Sequence, residues 1–193
     1  MIILEDLIKF SDGVRMIMIL HRGKEGGTKD EPQHSAHKKI TTNTDEFFKV
    51  LDEFKDIKSK SKLPLRIYSC VNKRSIKKAI REFKTRQLDI DYADEREHKL
   101  FYLDIKNRWI SCLMKPSCRE ETFFLIDIDD NKVVSIADTI IYAKRKLEEL
   151  DIKIICTYLT KNGSHIITKP FNPALWDNDL GEIKKDGLLL LDY

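Results

Sequence analysis

Two kinds of apolar pattern alternate along the chain. Short, nearly continuous apolar runs predict β-strands, and these runs lie at residues 15–20, 65–71, 100–105, 109–114, 123–128, 152–158, 165–168 and 188–191. Apolar residues spaced three and four positions apart predict helices over about 44–55, from 76 onward and over about 135–150. Residues 2–10 fit either a helix or a strand, and the polar segment 23–39 predicts an exposed loop.

The order of these elements indicates an α+β protein. The runs at 152–158 and 165–168 are joined by a tight turn at Lys161-Asn162-Gly163, which predicts an antiparallel hairpin. Hairpins mixed with intervening helices predict a mixed or antiparallel central sheet flanked by helices. We expect residues 1–62 to be an N-terminal elaboration of a catalytic core at 63–193, and the whole to form one compact domain.

Composition narrows the class of protein. Of the 193 residues, 41% are apolar and 35% are charged, which is typical of a globular protein with a charged surface. The net charge of +3 argues against a histone-like binder. No apolar run approaches the ~20 residues of a membrane span, and the N-terminus lacks a signal-peptide pattern. We therefore expect a cytoplasmic protein, with its four cysteines as reduced thiols because they lack CxxC spacing.

The strongest candidate for chemistry is the acidic end of the run at 123–128. Asp127 and Asp129 are two positions apart, so on a strand they project from the same face. Two neighbouring carboxylates repel each other unless a cation or a proton lies between them. Mg²⁺ or Mn²⁺ suits such oxygen ligands, and its other positions can hold water and phosphate oxygens. The alternative is that these acids only end a strand and cap the turn at Asn131.

A second candidate lies in the predicted hairpin. Gly163 permits close backbone approach, Ser164 offers a hydroxyl, and His165 and Lys169 can meet phosphate oxygens. His165 and Lys169 share one strand face, so they could line one pocket. Taken alone, a histidine on a strand is more often structural.

Together, the hydrophobic strand ending in Asp-x-Asp and the later Gly-x-His turn resemble the archaeo-eukaryotic primase superfamily, in its small phage and plasmid members. The resemblance covers about residue 65 to the C-terminus, including the segment 67–74 upstream. It implies a primase-polymerase (RRM-like) core in which Asp127 and Asp129 hold metals and residues 163–165 bind the incoming nucleotide. The family's third motif, a hydrophobic strand ending in an acid, matches Leu188–Asp192 and makes Asp192 a third metal ligand, with Asp186 as the other candidate.

Basic residues also cluster locally. Five of them, which fall in one short segment and could follow a phosphate backbone, are Lys73, Arg74, Lys77, Lys78 and Arg81. A solvated helix face is the alternative. Lys115 and Arg119, just before the acidic strand, could neutralise a triphosphate or a template. For His34 and His37 we favour a solvated loop over a metal site, and Trp109 and Trp176 fit a core position better than base stacking.

These features predict a metal-dependent nucleotidyltransferase that adds nucleotides to a nucleic-acid 3′-hydroxyl on a template, in DNA replication or repair. The expected cofactor is Mg²⁺ or Mn²⁺, and catalysis is expected from Asp127, Asp129 and His165. Nucleoside triphosphates, single-stranded or primer-template DNA and a replicative helicase are the expected partners. Two alternatives stay open: a degenerate relative that binds nucleic acid or a replication partner without catalysis, and a metal-dependent nuclease.

Overall fold

The computed structural model describes residues 13–21, 37–129, 135–160 and 162–192. Within these ranges the chain forms eight strands: β1 Arg15–His21, β2 His37–Thr41, β3 Leu65–Cys70, β4 Phe124–Asp129, β5 Ile154–Thr160, β6 Gly163–Thr168, β7 Glu182–Lys184 and β8 Leu188–Asp192. The same ranges hold five α-helices: α1 Thr44–Lys60, α2 Ile76–Asp91, α3 Glu95–Leu103, α4 Ile105–Leu113 and α5 Ile136–Glu149. The segment 2–10, whose apolar pattern fits either a helix or a strand, lies outside the described residues.

The strands form two sheets rather than the one central sheet that the sequence predicted. The first sheet has the order β2-β1-β3-β8 and the second has the order β5-β6-β4-β7. Every strand pair in both sheets is antiparallel. The α+β class and the antiparallel hairpin of β5 and β6 are therefore confirmed. Because β1 lies between β2 and β3, residues before 63 contribute two strands to the same sheet as residues after it.

Each sheet has one face covered by a helix. Helix α1 begins at the N-cap Asn43, whose side chain accepts the N–H of Glu46, and it buries Phe47 and Phe54 against Ile17 and Ile67 of the first sheet. Helix α5 packs on the second sheet, where its buried residues join a cluster of apolar strand residues. That cluster includes Ala143, Leu147, Ile126, Ile128 and Ile166.

A third apolar cluster joins the two sheets. Leu125 and Ile167 point from the second sheet away from α5 and pack with Leu189 of β8 and with Val71, which follows β3. Next along the chain, Asn72 holds the junction: its side-chain oxygen accepts the N–H of Phe123 at 2.6 Å. The inner faces of the two sheets are thus held together at one end.

Two predicted strands are helices instead. Residues 100–105 and 109–114 lie largely in α3 and α4. Helix α3 begins at the N-cap Asp94, whose side chain accepts the N–H of Glu97. The apolar residues of these segments meet α2 through rings: Phe83 lies 5.7 Å from Phe101 and 5.8 Å from Trp109, between ring centroids. A short apolar run does not distinguish a buried strand from a packed helix.

Two helices leave apolar residues exposed. Ser75 caps α2 by accepting the N–H of Lys78, and Ala79 is the residue that this helix buries fully, while Ile76 and Ile80 are 42% and 41% exposed. Ile141 of α5 is likewise exposed. Residues 37–39, predicted as loop, begin the edge strand β2.

The cysteine prediction agrees with the structure. All four cysteines are free and buried, at positions 70, 112, 118 and 156. No helix among the described residues is long and apolar enough to cross a membrane.

Candidate active site in the cleft between the sheets

A cleft of about 560 Å³ is lined by residues of both sheets and of the β7–β8 connection. The first sheet contributes apolar residues of β1 and β8, together with Arg66 and Tyr68 of β3. The acidic, basic and histidine side chains of the cleft come from both sheets and the connection: Arg66, Asp127, Asp129, His165, Lys184 and Asp186. A volume of this size is within the range of small-molecule sites.

The strand register explains why an acid and a histidine meet here. In the second sheet Asp127 of β4 is paired with His165 of β6, and His165 is paired on its other side with Tyr158 of β5. Paired residues of antiparallel strands project from the same face. Accordingly, His165 Nε2 lies 3.0 Å from Asp127 Oδ1, and His165 Nδ1 lies 2.6 Å from the Tyr158 hydroxyl. A row of polar side chains crosses three strands on the cleft face.

The protonation pattern along this row follows from burial and charge. Burial raises the pKa of Tyr158, so its hydroxyl keeps its proton. A carboxylate can only accept, so His165 Nε2 carries the proton that lies toward Asp127. In a neutral imidazole Nδ1 is then the acceptor, and the Tyr158 hydroxyl donates to it. The hydrogen bond from His165, reinforced against burial by Lys184, lowers the pKa of Asp127 to about 2. Asp127 is therefore a carboxylate throughout the physiological range.

Lys184 is the second partner of Asp127. Its ammonium contacts Asp127 Oδ2 from β7, the strand on the other side of β4. Burial opposes the charge on Lys184, but the hydrogen bond and charge of Asp127 outweigh it and raise the pKa of the lysine. Both oxygens of Asp127 are thus engaged, Oδ1 by His165 and Oδ2 by Lys184.

The structure brings the predicted acidic pair to one cleft. Asp127 is half-buried, whereas Asp129, at the exposed end of β4, stands beside it on the lining. Asp192, the predicted third ligand, is not part of this lining. It is on β8 in the first sheet, and its Oδ2 lies 3.0 Å from the Lys58 ammonium of α1.

Asp186, the other candidate for the third acid, does line the cleft but is engaged by cations. Arg74 contacts its Oδ1, Arg119 lies 3.1 Å from its Oδ2, and Asn72 donates to Oδ1 at 3.2 Å. Burial opposes the charge on Asp186, and its basic and amide partners overcome that effect and lower its pKa. Arg119, a predicted triphosphate ligand, reaches the cleft only through this carboxylate.

Two residues of the predicted nucleotide-binding turn, Gly163 and Ser164, stabilise the second sheet. A Cβ at Gly163 would stand 2.0 Å from the carbonyl oxygen of Ile128, so β4 and β6 approach too closely for any other residue. The Ser164 hydroxyl is buried and donates to the Tyr158 carbonyl at 3.0 Å. Asn162, just before them, lines the cleft together with His165.

The remaining basic candidates are divided between core and surface. Lys169 follows the far end of β6, where its ammonium lies 4.6 Å from the Phe123 ring centroid rather than in the cleft. Lys73 is buried and lies 2.9 Å from Glu121, and Arg74 is fully buried. Neither can follow a phosphate backbone from the surface, so the predicted stripe is wrong at these two positions. Its exposed remainder on α2 consists of Lys77, Lys78 and Arg81.

The weaker candidates lie elsewhere. His34 is outside the described residues, and His37 is exposed on the edge strand β2. Trp109 is half-buried and packs on Phe83, whereas Trp176 is buried in the core, with its indole N–H donating to the Gly181 carbonyl. Lys115 pairs with Glu82 on the surface.

The donor set fits a hard divalent ion that also binds substrate. Asp127 is ionised, Asp129 is on the same face, and both are oxygen ligands. Among the described residues no group of three or more His, Cys, Asp or Glu side chains could hold a metal by itself. Mg²⁺ commonly binds through one or two carboxylates, with substrate phosphates and water completing its shell. Two carboxylates at the mouth of a polar cleft meet that requirement.

No family model, curated protein or solved structure matches this chain.

Proposed function

We propose that this protein is a metal-dependent nucleotidyltransferase of the primase-polymerase type, which adds a nucleotide to a 3′-hydroxyl on a nucleic-acid template. The observation that carries the proposal is the contact between Asp127 and His165, at 3.0 Å, on the wall of a cleft that Asp129 shares. Asp127 and His165 come from segments that are distant in the sequence, and they meet in one polar site.

The residues divide the work by charge. Asp127 and Asp129 would hold a Mg²⁺ or Mn²⁺ ion, which supplies positive charge for the polyphosphate when bound. His165 donates from Nε2, so it orients the Asp127 carboxylate and offers a proton donor beside it. Arg66 and Lys184 add cationic side chains to the cleft wall. Catalysis rests on position and electrostatics, as in other phosphoryl transfers.

The reaction itself is a displacement at phosphorus. The 3′-oxygen forms a bond to the α-phosphorus of the nucleotide, the bond to the bridging oxygen breaks, and pyrophosphate leaves with that electron pair. The hydroxyl proton is lost to solvent. The exposed basic side chains of α2, at Lys77, Lys78 and Arg81, are the proposed contacts to the DNA strand.

Two ion pairs favour a second function. The acid that would complete the metal site by resemblance, Asp192, is paired with Lys58 in the other sheet, and Lys184 contacts Asp127 in the site itself. A site with two carboxylates and a lysine also suits nucleotide or nucleic-acid binding without catalysis. In that case the protein would act as an accessory to replication.

Incorporation of labelled nucleotides into a primed template, in the presence of Mn²⁺, tests the proposal. We expect Asp127→Asn to reduce the rate roughly 10²- to 10³-fold, the usual effect of removing one charge-stabilising group. Asp192→Asn, the same change on a strand of similar sequence, should leave the rate within about twofold.

Each other outcome has a clear meaning. An unchanged rate in Asp127→Asn would refute the assignment of the site. Salt-sensitive DNA binding by the wild-type protein, with no incorporation, would favour the accessory function. Loss of labelled DNA without added nucleotide would indicate a nuclease.

A further inference from the structure

Lys184 holds a position in the cleft that neither the apolar pattern nor the resemblance assigns to it. It ends β7, a strand of three residues that pairs with β4. Its ammonium contacts Asp127 Oδ2 and lies 3.5 Å from Glu182, whose side chain is 74% exposed. Asp127 is the better partner, because it is 17% exposed and its charge is less screened by water.

The contact makes the lysine a competitor for any cation at Asp127. Oδ1 already accepts from His165, so Oδ2 is the oxygen that faces a second partner. A divalent ion held by Asp127 and Asp129 would be repelled by the ammonium at Asp127, so the two cations would compete for the same carboxylate. The cost of breaking the lysine contact is then subtracted from the affinity for the ion.

A displaced ammonium has few places to go within the cleft. Glu182 offers only an exposed contact, and Asp186, also on the lining, is already held by Arg74 and Arg119. A polyphosphate in the cleft would present several anionic oxygens to a cation on the cleft wall. The lysine can therefore exchange a carboxylate for a phosphate when metal and nucleotide enter together.

We propose that Lys184 is a built-in cation that occupies Asp127 in the metal-free protein, gives way to a divalent ion, and then binds a phosphate of the nucleotide. This inference rests on the proposed function, since it takes Asp127 as the metal ligand and a nucleoside triphosphate as the ligand. It makes Lys184 a substrate-binding residue that also limits metal binding in the absence of substrate.

Two affinities of Lys184→Met measure the two halves of the proposal. Binding of Mn²⁺ alone, followed by the loss of the free-ion signal in electron paramagnetic resonance, should become about three- to tenfold tighter because the competing cation is gone. Binding of a non-hydrolysable nucleoside triphosphate analogue at saturating Mn²⁺ should become about three- to tenfold weaker. A purely structural role for the lysine would not move these two affinities in opposite directions.

Lys185→Met is the matched control. It removes the same charge from the next residue, whose side chain is exposed, and so reproduces any long-range effect of net charge. Both of its affinities should stay within about twofold of wild type. Lys184→Arg keeps a cation at the site and should retain nucleotide binding better than the Met variant. Thermal unfolding of each variant establishes that it is folded.

Failure of this inference is distinguishable from failure of the proposed function. Unchanged or weakened Mn²⁺ binding in a folded Lys184→Met would overturn the inference, while nucleotide incorporation that depends on Asp127 would leave the function intact. Equal changes in Lys184→Met and Lys185→Met would also overturn it, because net charge alone would explain them. If neither wild type nor Lys184→Met binds Mn²⁺ at millimolar concentrations, the metal site itself is refuted and the inference with it.

Discussion

Strands β4 and β8 have similar sequences and different roles. Both are apolar runs that end in an acid, FLIDID in one and LLLLD in the other. β4 lies between β6 and β7, so Asp127 meets His165 on one side and Lys184 on the other. β8 is an edge strand beside β3, and Asp192 meets Lys58 of α1. A run of apolar residues that ends in an acid therefore predicts a strand, but the neighbouring strands determine whether that acid belongs to a site.

The largest expected effect tests how tightly β4 is held by its neighbour. Gly163→Ala places a Cβ where the carbonyl oxygen of Ile128 now lies, and backbone cannot move aside cheaply. We expect a loss of about 3 kcal/mol in the free energy of unfolding, measured by urea denaturation. Gly187→Ala, just before β8, is the control. Its Cβ would meet the Leu125 side chain at 3.0 Å, so we expect about 1 kcal/mol. Equal losses would mean that the close approach of β4 and β6 is not a rigid constraint.

The next effect tests the charge of Asp127. Its pKa is about 2 in the folded protein, against an ordinary value of 3.8 for an aspartate. A carboxyl whose pKa is depressed by folding contributes stability above its unfolded pKa and loses it as the pH falls through the folded value. Asp127→Asn should therefore cost about 2 kcal/mol above pH 5, and the difference from wild type should shrink between about pH 4 and pH 2. Denaturation at several pH values measures it, and a difference that is constant with pH would contradict the assigned ion pairs.

A smaller effect tests the row of polar side chains on the second sheet. Tyr158→Phe removes the hydroxyl that donates to His165 Nδ1, which should cost about 1 kcal/mol of stability. The ¹⁵N chemical shifts of the imidazole should also show a larger share of the tautomer with its proton on Nδ1. One of the two groups that favour a proton on Nε2 is gone, and Asp127 is the one that stays. Tyr68→Phe, which alters another tyrosine on the cleft wall, should leave those shifts in place. The same shifts in wild type and Tyr158→Phe would show that Asp127 alone sets the tautomer.

The smallest effect belongs to β8. The pair between Lys58 and Asp192 is partly exposed, with side-chain exposures of 22% and 35%. Asp192→Asn should therefore cost about 0.5 kcal/mol or less by urea denaturation, and 0.5 M salt should reduce that difference further. A loss as large as that of Asp127→Asn would erase the distinction between the two strands.

Much of the fold is predictable because local signals and burial agree. The β5–β6 hairpin follows from its turn, α1 follows from Asn43 and its aromatic spacing, and β4 follows from its apolar run. The same reasoning gives the wrong result for residues 100–114, because their apolar residues lie on helices whose aromatic rings pack on α2. The division into two sheets was not predictable either. It depends on which strands pair across the sequence, and the apolar pattern does not record pairing.

The site is predictable in part for the same reason. Asp127 and Asp129 share a face because strands have a period of two, and Tyr158 could have been found by counting back across the hairpin from His165. Lys184 carried no such signal, because a strand of three residues leaves no pattern. Lys73 and Arg74 were misjudged since charge in sequence does not reveal burial. Each of them is neutralised by an acid distant in the chain, Glu121 and Asp186.

The four buried thiols allow local unfolding of this protein to be measured by chemical labelling. Cys70 is in the first sheet and Cys156 is in the second. Cys112 lies near the end of α4, and Cys118 follows that helix. A thiol reagent reaches each of them only when its surroundings unfold, so the labelling rate at each cysteine measures how often that region opens. Mass spectrometry of the labelled peptides would show whether the sheets open together or one at a time, with no engineered probe and no change to the sequence.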